Sequence, residues 1–123
     1  MPLEIQRESR PSLESVPEDP GFDPVVLAIS GELDLGSLTE LDEAASAAIA
    51  GGTPVLLLDL SDLTFCDSTG LGLFVRLHKR MQQRGGRLGL VNPQAGVLKV
   101  LKLTGLDAAL HLYPDIEVAL ANG

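Results

Sequence analysis

The hexapeptide Asp67-Ser68-Thr69-Gly70-Leu71-Gly72 gathers the side chains of this chain best suited to chemistry. Three helix-starting residues precede two glycines. Behind them Leu71, Phe74, Val75, His78 and Met81 recur at three- and four-residue spacing, so an amphipathic helix is expected to begin beside Ser68. Helix capping accounts for a serine in that place, and also for Asp67 and the upstream Asp34. It does not account for the glycines, each of which costs about 1 kcal/mol relative to alanine within a helix. Two missing side chains leave a flat surface next to a hydroxyl, open to close approach by another protein's backbone. The chemistry this favours is modification of Ser68 by a docking enzyme.

Other chemistries find less to rest on. A glycine-rich loop at a helix start can cradle a phosphate, but Gly70-Leu71-Gly72-Leu73-Phe74-Val75 has valine where the dinucleotide fingerprint wants a third small residue, and no Gly-Lys-Ser/Thr loop occurs. His78 falls on the apolar stripe of its helix and His111 on a late strand. Neither is aimed at Ser68, so the chain is not expected to be an enzyme. One cysteine, Cys66, and two scattered histidines do not make a structural zinc site, and neither a metal nor a cofactor is expected. Asp59, read as the end of a strand, suggests a receiver-like phospho-aspartate domain as an alternative. That chemistry needs an acidic pair after the first strand and a lysine on a late one, and the strand around Leu112 carries no lysine.

The elements that position these residues alternate. Leu3-Glu4-Ile5-Gln6 reads as a short edge strand, at the rim of a sheet or paired antiparallel. The stretch 10–24, with Pro11, Pro17, Pro20, Gly21 and Pro24 among acidic residues, reads as an extended surface loop. Val25–Ile29 is a strand buried on both faces and ended by Ser30-Gly31. Ser37-Leu38-Thr39-Glu40 has capping-box spacing, followed by a helical stripe of Leu38, Leu41, Ala45, Ala48 and Ile49 up to Gly51-Gly52. Val55–Leu60 is a central strand, and residues 59–67 form the loop that leads to the Ser68 helix, which Gly85-Gly86 stops. Arg87–Val91 is a strand closed by Asn92-Pro93. Val97, Leu98 and Leu101 mark a third helix ending near Gly105, Leu112-Tyr113 a brief strand, and a Pro114-initiated helix carries Ile116, Val118 and Leu120. The result is an α/β fold with a mostly parallel sheet of four to five strands, an N-terminal edge strand and about four helices. Loops leaving the C-terminal ends of parallel strands converge, which makes neighbours of Asp34 and Asp67-Ser68.

Length and composition agree with one such unit. The 123 residues, 45% of them hydrophobic, support one core, with roughly two-thirds of the unfolded surface buried. A single domain over 1–123 is expected. No apolar run is long enough for a bilayer and the N-terminus does not read as a signal peptide, so no membrane association and a cytoplasmic location are expected. A net charge of −8 argues against a nucleic-acid partner. The charge is segregated: residues 11–75 hold twelve acids and no Lys or Arg, and residues 76–102 hold seven bases and no acid. Solubility and helix-end complementarity explain this as well as steering of a partner does.

The stretch Asp59-Leu60-Ser61-Asp62-Leu63-Thr64-Phe65-Cys66-Asp67-Ser68-Thr69-Gly70-Leu71-Gly72 resembles the phosphorylation segment of STAS-domain anti-sigma-factor antagonists, built on Asp-Ser-Ser/Thr-Gly-Leu-Gly. Gly31-Glu32-Leu33-Asp34 is similar to a second signature of that family, and Val91-Asn92-Pro93 to a third and weaker one. The resemblance runs from about Val25 to the C-terminus. It implies a bacterial regulator that, unphosphorylated, binds an anti-sigma factor with ATP-dependent serine kinase activity and frees the sigma factor. Phosphorylation breaks that pairing and a serine phosphatase resets it. Position by position, Ser68 matches the phosphoacceptor, Thr69 is a secondary candidate, and Asp34, Asp67, Ser68, Thr69, Gly70, Leu71 and Gly72 form the partner-binding surface. The 10–24 loop is longer than the family's usual first connection. A non-switching STAS scaffold of a transporter or lipid-trafficking complex is the alternative within the same fold.

Overall fold

The computed structural model describes residues 2–8 and 23–121. It contains β1 (Glu4–Glu8), β2 (Val25–Leu33), α1 (Leu38–Ala50), β3 (Val55–Cys66), α2 (Ser68–Gln83), β4 (Arg87–Val91), α3 (Ala95–Leu103), α4 (Leu106–Ala109), β5 (His111–Tyr113) and α5 (Ile116–Ala121). Apart from Asp23 and Pro24, the expected 10–24 loop lies outside the described residues.

The five strands lie side by side in chain order, β1 antiparallel to β2 and the rest parallel. Because every β-α-β step moves the same way along the sheet and such crossovers are right-handed, α1, α2 and α3 fall on one face. Strand alternation divides the core accordingly. Leu56, Leu58 and Leu60 point into the larger cluster with Leu41, Phe74 and Leu101, while Val55 and Leu57 point to the other face and pack with Val26, Val91, Ala119 and Leu120. The helix α5 covers that second face and is fastened by Arg87, whose guanidinium donates to the Tyr113 hydroxyl at 2.8 Å and the Ala119 carbonyl at 2.7 Å.

Two strands run further than expected. Ser30-Gly31 does not end β2, and β3 continues past Leu60 to Cys66. Pairing persists through register shifts between Ala28 and Ser30 and between Gly31 and Glu32, to the last pair Leu33↔Cys66. Gly31 makes this feasible: its φ is +94°, and the carbonyl of Pro2 occupies the space a side chain would need. A glycine inside a strand here marks an irregularity in the ladder and not its end.

Several local expectations shift in detail. Ser37 precedes α1 but makes no capping bond, because its hydroxyl turns back into the preceding loop. In α2 the buried side is Gly70, Leu71, Leu73, Phe74, Leu77 and Met81, whereas Val75 and His78 are only half-buried. Apolar residues occupy more than one stripe of this helix, and contact with α1 and the sheet sets which one turns inward. The one-turn α4 was not anticipated, and in α5 it is Ala119 and Leu120 that are buried while Val118 is exposed.

The His78 ring meets that of His111 edge-on at 5.6 Å, and its buried Nδ1 has no hydrogen-bond partner among the described residues. Burial, with a smaller contribution from His111, holds the His78 pKa below its usual 6.5. On acidification the unfolded chain therefore takes up this proton first, and stability falls as pH drops through 6.5 and below. Melting temperatures across pH 7.5 to 5 are expected to fall for the native chain and to fall less for His78→Leu; equal slopes would remove His78 from the account.

Candidate functional site

The site is assembled where β2 and β3 end together. With Leu33 opposite Cys66, the next residues leave the sheet as adjacent loops, and the Asp67 amide donates to the Leu33 carbonyl at 3.1 Å. Asp34 and Asp67 are thereby neighbours, as the convergence of loops at the C-terminal ends of parallel strands implied. The strand order contains no reversal, so there is no crevice of the doubly wound kind between diverging helices. The edge presents its loops side by side.

Asp67 is the N-cap of α2, in extended conformation with φ −90° and ψ −177°. One carboxylate oxygen accepts from the Thr69 amide at 3.0 Å, the Gly70 amide at 3.1 Å and the Thr69 hydroxyl at 2.5 Å. The Thr69 hydroxyl, the Gly70 and Thr69 amides and the Leu35 amide hold its pKa below the usual 3.8. The group is therefore ionised at neutral pH and joins the β2–α1 loop to the first turn of α2. Asp34 does parallel work one loop away. Its carboxylate accepts from the Ser37 amide at 3.2 Å, while the Ser37 hydroxyl accepts from the Asp34 amide at 3.1 Å and donates to the Glu32 carbonyl at 3.0 Å.

Ser68 differs from its chain neighbours Asp67 and Thr69. It is the first residue of α2, its side chain is exposed, and its hydroxyl makes no hydrogen bond among the described residues. Thr69 is half-buried and its hydroxyl is committed to Asp67. Two adjacent hydroxyls thus have different availability: one is free in solvent and one is part of the cap.

The two glycines also differ, which corrects the expectation of one bare patch. Gly70 is buried, and a Cβ there would stand 2.7 Å from Cys66 Sγ and 2.9 Å from Leu33. It lets α2 lie close against the ends of β2 and β3 and offers nothing to a visitor. Leu71 likewise points inward, 6% exposed. Of the expected partner-binding residues, Gly70 and Leu71 are therefore core, because in helical geometry they face the sheet when Ser68 and Gly72 face out. Gly72 remains accessible, and the nearest atom to its missing Cβ is a guanidinium nitrogen of Arg76 at 3.5 Å.

Residues that the spacing did not reveal complete the surface. Leu35, 72% exposed, lies in the β2–α1 loop whose amide reaches Asp67, and Phe65, 49% exposed, lies near the end of β3 two residues before it. The available signal was an apolar side chain at Leu35 between Asp34 and Gly36, and at Phe65 between Thr64 and Cys66 just ahead of the cap. Cys66 is no competing nucleophile, since burial and then the Asp67 charge push its thiol up to about 12. Asp59 does not end a strand: it sits within β3, half-buried, and its carboxylate accepts from the Ser61 hydroxyl at 2.6 Å and amide at 3.1 Å. Among the described residues no group of three or more His, Cys, Asp or Glu is placed to hold a metal ion, and no helix is long and apolar enough to cross a membrane. Grooves of about 430 and 580 Å³ lie along β1, and none of residues 67–72 lines either one.

Comparison with known proteins gives consistent matches. Residues 15–119 match the family model described as STAS domain. The chain is 31% identical over 90 residues to an anti-sigma-B factor antagonist of Staphylococcus aureus, covering 73% of this chain and 83% of that protein. Its fold is similar to that of an anti-sigma factor antagonist from Mycobacterium paratuberculosis, with a TM-score of 0.76, 28% identity, and 97% and 93% of the two chains covered. The anti-sigma factor antagonist SpoIIAA, in its unphosphorylated form, shares the fold with a TM-score of 0.74 at 24% identity, covering 97% of this chain and 95% of that one.

The unequal glycines lead to opposite outcomes for one substitution. Gly70→Ala is expected to destabilise by about 1–3 kcal/mol through overpacking. Gly72→Ala is expected to stabilise by about 0.5–1 kcal/mol through helix propensity. Urea denaturation of both variants measures this, and the same sign for the two would refute the packing assignment.

Proposed function

The chain belongs to the STAS-domain family of anti-sigma-factor antagonists, and on that premise we propose that it is a phospho-switched antagonist acting through Ser68. Unphosphorylated, it binds an anti-sigma factor that is also an ATP-dependent serine kinase, and so releases a sigma factor. The observation that carries this reading is the free, exposed hydroxyl at the start of α2, beside a carboxylate that already satisfies the adjacent amides. The bound partner covers Asp34, Asp67, Ser68, Thr69 and Gly72, with Leu35 and Phe65 as apolar anchors. Gly70 and Leu71 contribute from beneath by seating the helix. The acceptor is Ser68 and not Thr69, whose hydroxyl would have to leave Asp67 first.

The switch follows from charge. The kinase transfers the γ-phosphoryl group of ATP to Ser68 Oγ: the new P–O bond forms, the bond to ADP breaks, and the hydroxyl proton passes to the kinase. The product carries about −1.5 to −2 charges and three acceptor oxygens. A helix N-terminus tolerates an anion, so the fold persists. The same anion lies beside the ionised Asp67 and would have to be desolvated under the partner. A tenfold loss of affinity needs only about 1.4 kcal/mol, a small demand on one buried phosphate. A serine phosphatase reverses the modification. The protein works in the cytoplasm as one domain over 1–123, makes no direct contact with nucleic acid and performs no catalysis of its own.

Incubation with the anti-sigma kinase and ATP, followed by intact-mass measurement, is expected to add one phosphoryl group to the native chain and to Thr69→Ala, and none to Ser68→Ala. Equal modification of native chain and Ser68→Ala would reject the acceptor. By calorimetry, Ser68→Asp is expected to weaken kinase binding about tenfold or more with an unchanged circular-dichroism spectrum; unaltered affinity would reject the electrostatic account.

A further inference from the structure

The charge segregation of the sequence acquires a specific consequence at Gly72. Of the seven bases in residues 76–102, three serve the fold: Arg80 bonds Ser46 at 2.9 Å and approaches Asp42 at 3.8 Å, Arg84 donates to the Ile49 carbonyl at 3.3 Å, and Arg87 holds β5 and α5. Arg76 is exposed and makes no hydrogen bond or ion pair among the described residues. Its guanidinium nevertheless has a defined place, folded back along α2 so that Nη1 lies 3.5 Å from the point where a Gly72 side chain would begin.

Ser68, Gly72 and Arg76 are spaced i, i+4 and i+8 and so form one row along the helix surface, with about 5–6 Å between successive Cβ positions. Helical side chains lean toward the N-terminus, which carries the guanidinium one turn closer to Ser68. Gly72 leaves the path between them clear. No lysine or arginine occurs in residues 11–75, so Arg76 is the first cation that an anion on Ser68 meets along its own helix. The amides such an anion would otherwise take, those of Thr69 and Gly70, are held by Asp67.

We infer that Arg76 is the intramolecular receptor of the phosphoryl group on Ser68: it pairs with the phosphate across bare Gly72, compensating the repulsion from Asp67, and in doing so is withdrawn from the partner-facing surface. Phosphorylation then changes that surface twice, by adding an anion and by removing a free cation. Guanidinium suits this because it presents several donors to phosphate oxygens in a planar fork. The inference rests on the reading of Ser68 as the phosphoacceptor.

The test places phosphoserine at position 68 during translation, so that no kinase is needed, and follows its phosphorus NMR shift as a function of pH. The second phosphate ionisation, ordinarily near pH 6, is expected to lie about half a unit lower in the native chain than in Arg76→Ala. Arg76→Lys should restore part of the difference, and Lys79→Ala should leave it intact. Superimposable curves for the native chain and Arg76→Ala overturn the inference, as does an equal shift from Lys79→Ala, which would mean a diffuse field and not a pair. A kinase that ignores Ser68 would reject the proposed function without altering these curves. Identical curves would reject the Arg76 contact and leave the acceptor assignment standing.

Discussion

One carboxylate organises the working edge of this protein. Asp67 caps α2, engages the hydroxyl of Thr69 and receives the amide of Leu35, so a single side chain fixes a helix start, a neighbouring loop and the unequal fates of two adjacent hydroxyls. An N-cap needs only one of its own acceptors to hold the first turn, and the residue after it is then free of structural duty. Ser68 is that residue. Its availability is a by-product of satisfied backbone groups on either side.

The cap works because the sheet delivers it to the right place. β2 and β3 stay paired through two register shifts to a common end at Leu33 and Cys66, and Gly70 lets α2 settle onto that end. Without the close approach at Gly70 the helix would start further from the sheet and the Asp67 carboxylate would lose its reach to the β2–α1 loop. Strands in chain order with α1, α2 and α3 on one face set the loops after β2 and β3 side by side at this edge, which suits a surface read by another protein.

Electrostatics then separates folding from signalling. The bases that matter to the fold act at α1, β5 and α5, away from the start of α2, whereas Asp67 at the edge is held ionised by hydrogen bonds and not by cations. A further negative charge at Ser68 therefore breaks no ion pair among the described residues. It acts on what approaches from outside, which is the physical condition for a modification that alters pairing and spares the fold.

Much of this was legible in the residues. The alternation of apolar runs and turn residues specified an α/β chain with a mostly parallel sheet and an N-terminal edge strand, and helix-starting residues placed the beginning of α2 at Ser68, because capping and periodicity are local properties carried by neighbouring side chains. Three features were not local. The ends of β2 and β3 depend on each other's hydrogen bonds, so Gly31 could be read as a stop until its positive φ and the backbone of Pro2 showed it to be an irregularity within the ladder. The inward phase of α2 depends on what packs against it, which turned Gly70 and Leu71 into core and left Gly72 at the surface. The partner of a polar side chain depends on which groups the fold brings within about 3 Å, which drew the Ser37 hydroxyl back to Glu32 and the Thr69 hydroxyl to Asp67. Residue types and spacing determined which groups were present and in what order; only the tertiary structure decided which of them face outward, because that choice is made by contacts between segments distant in sequence.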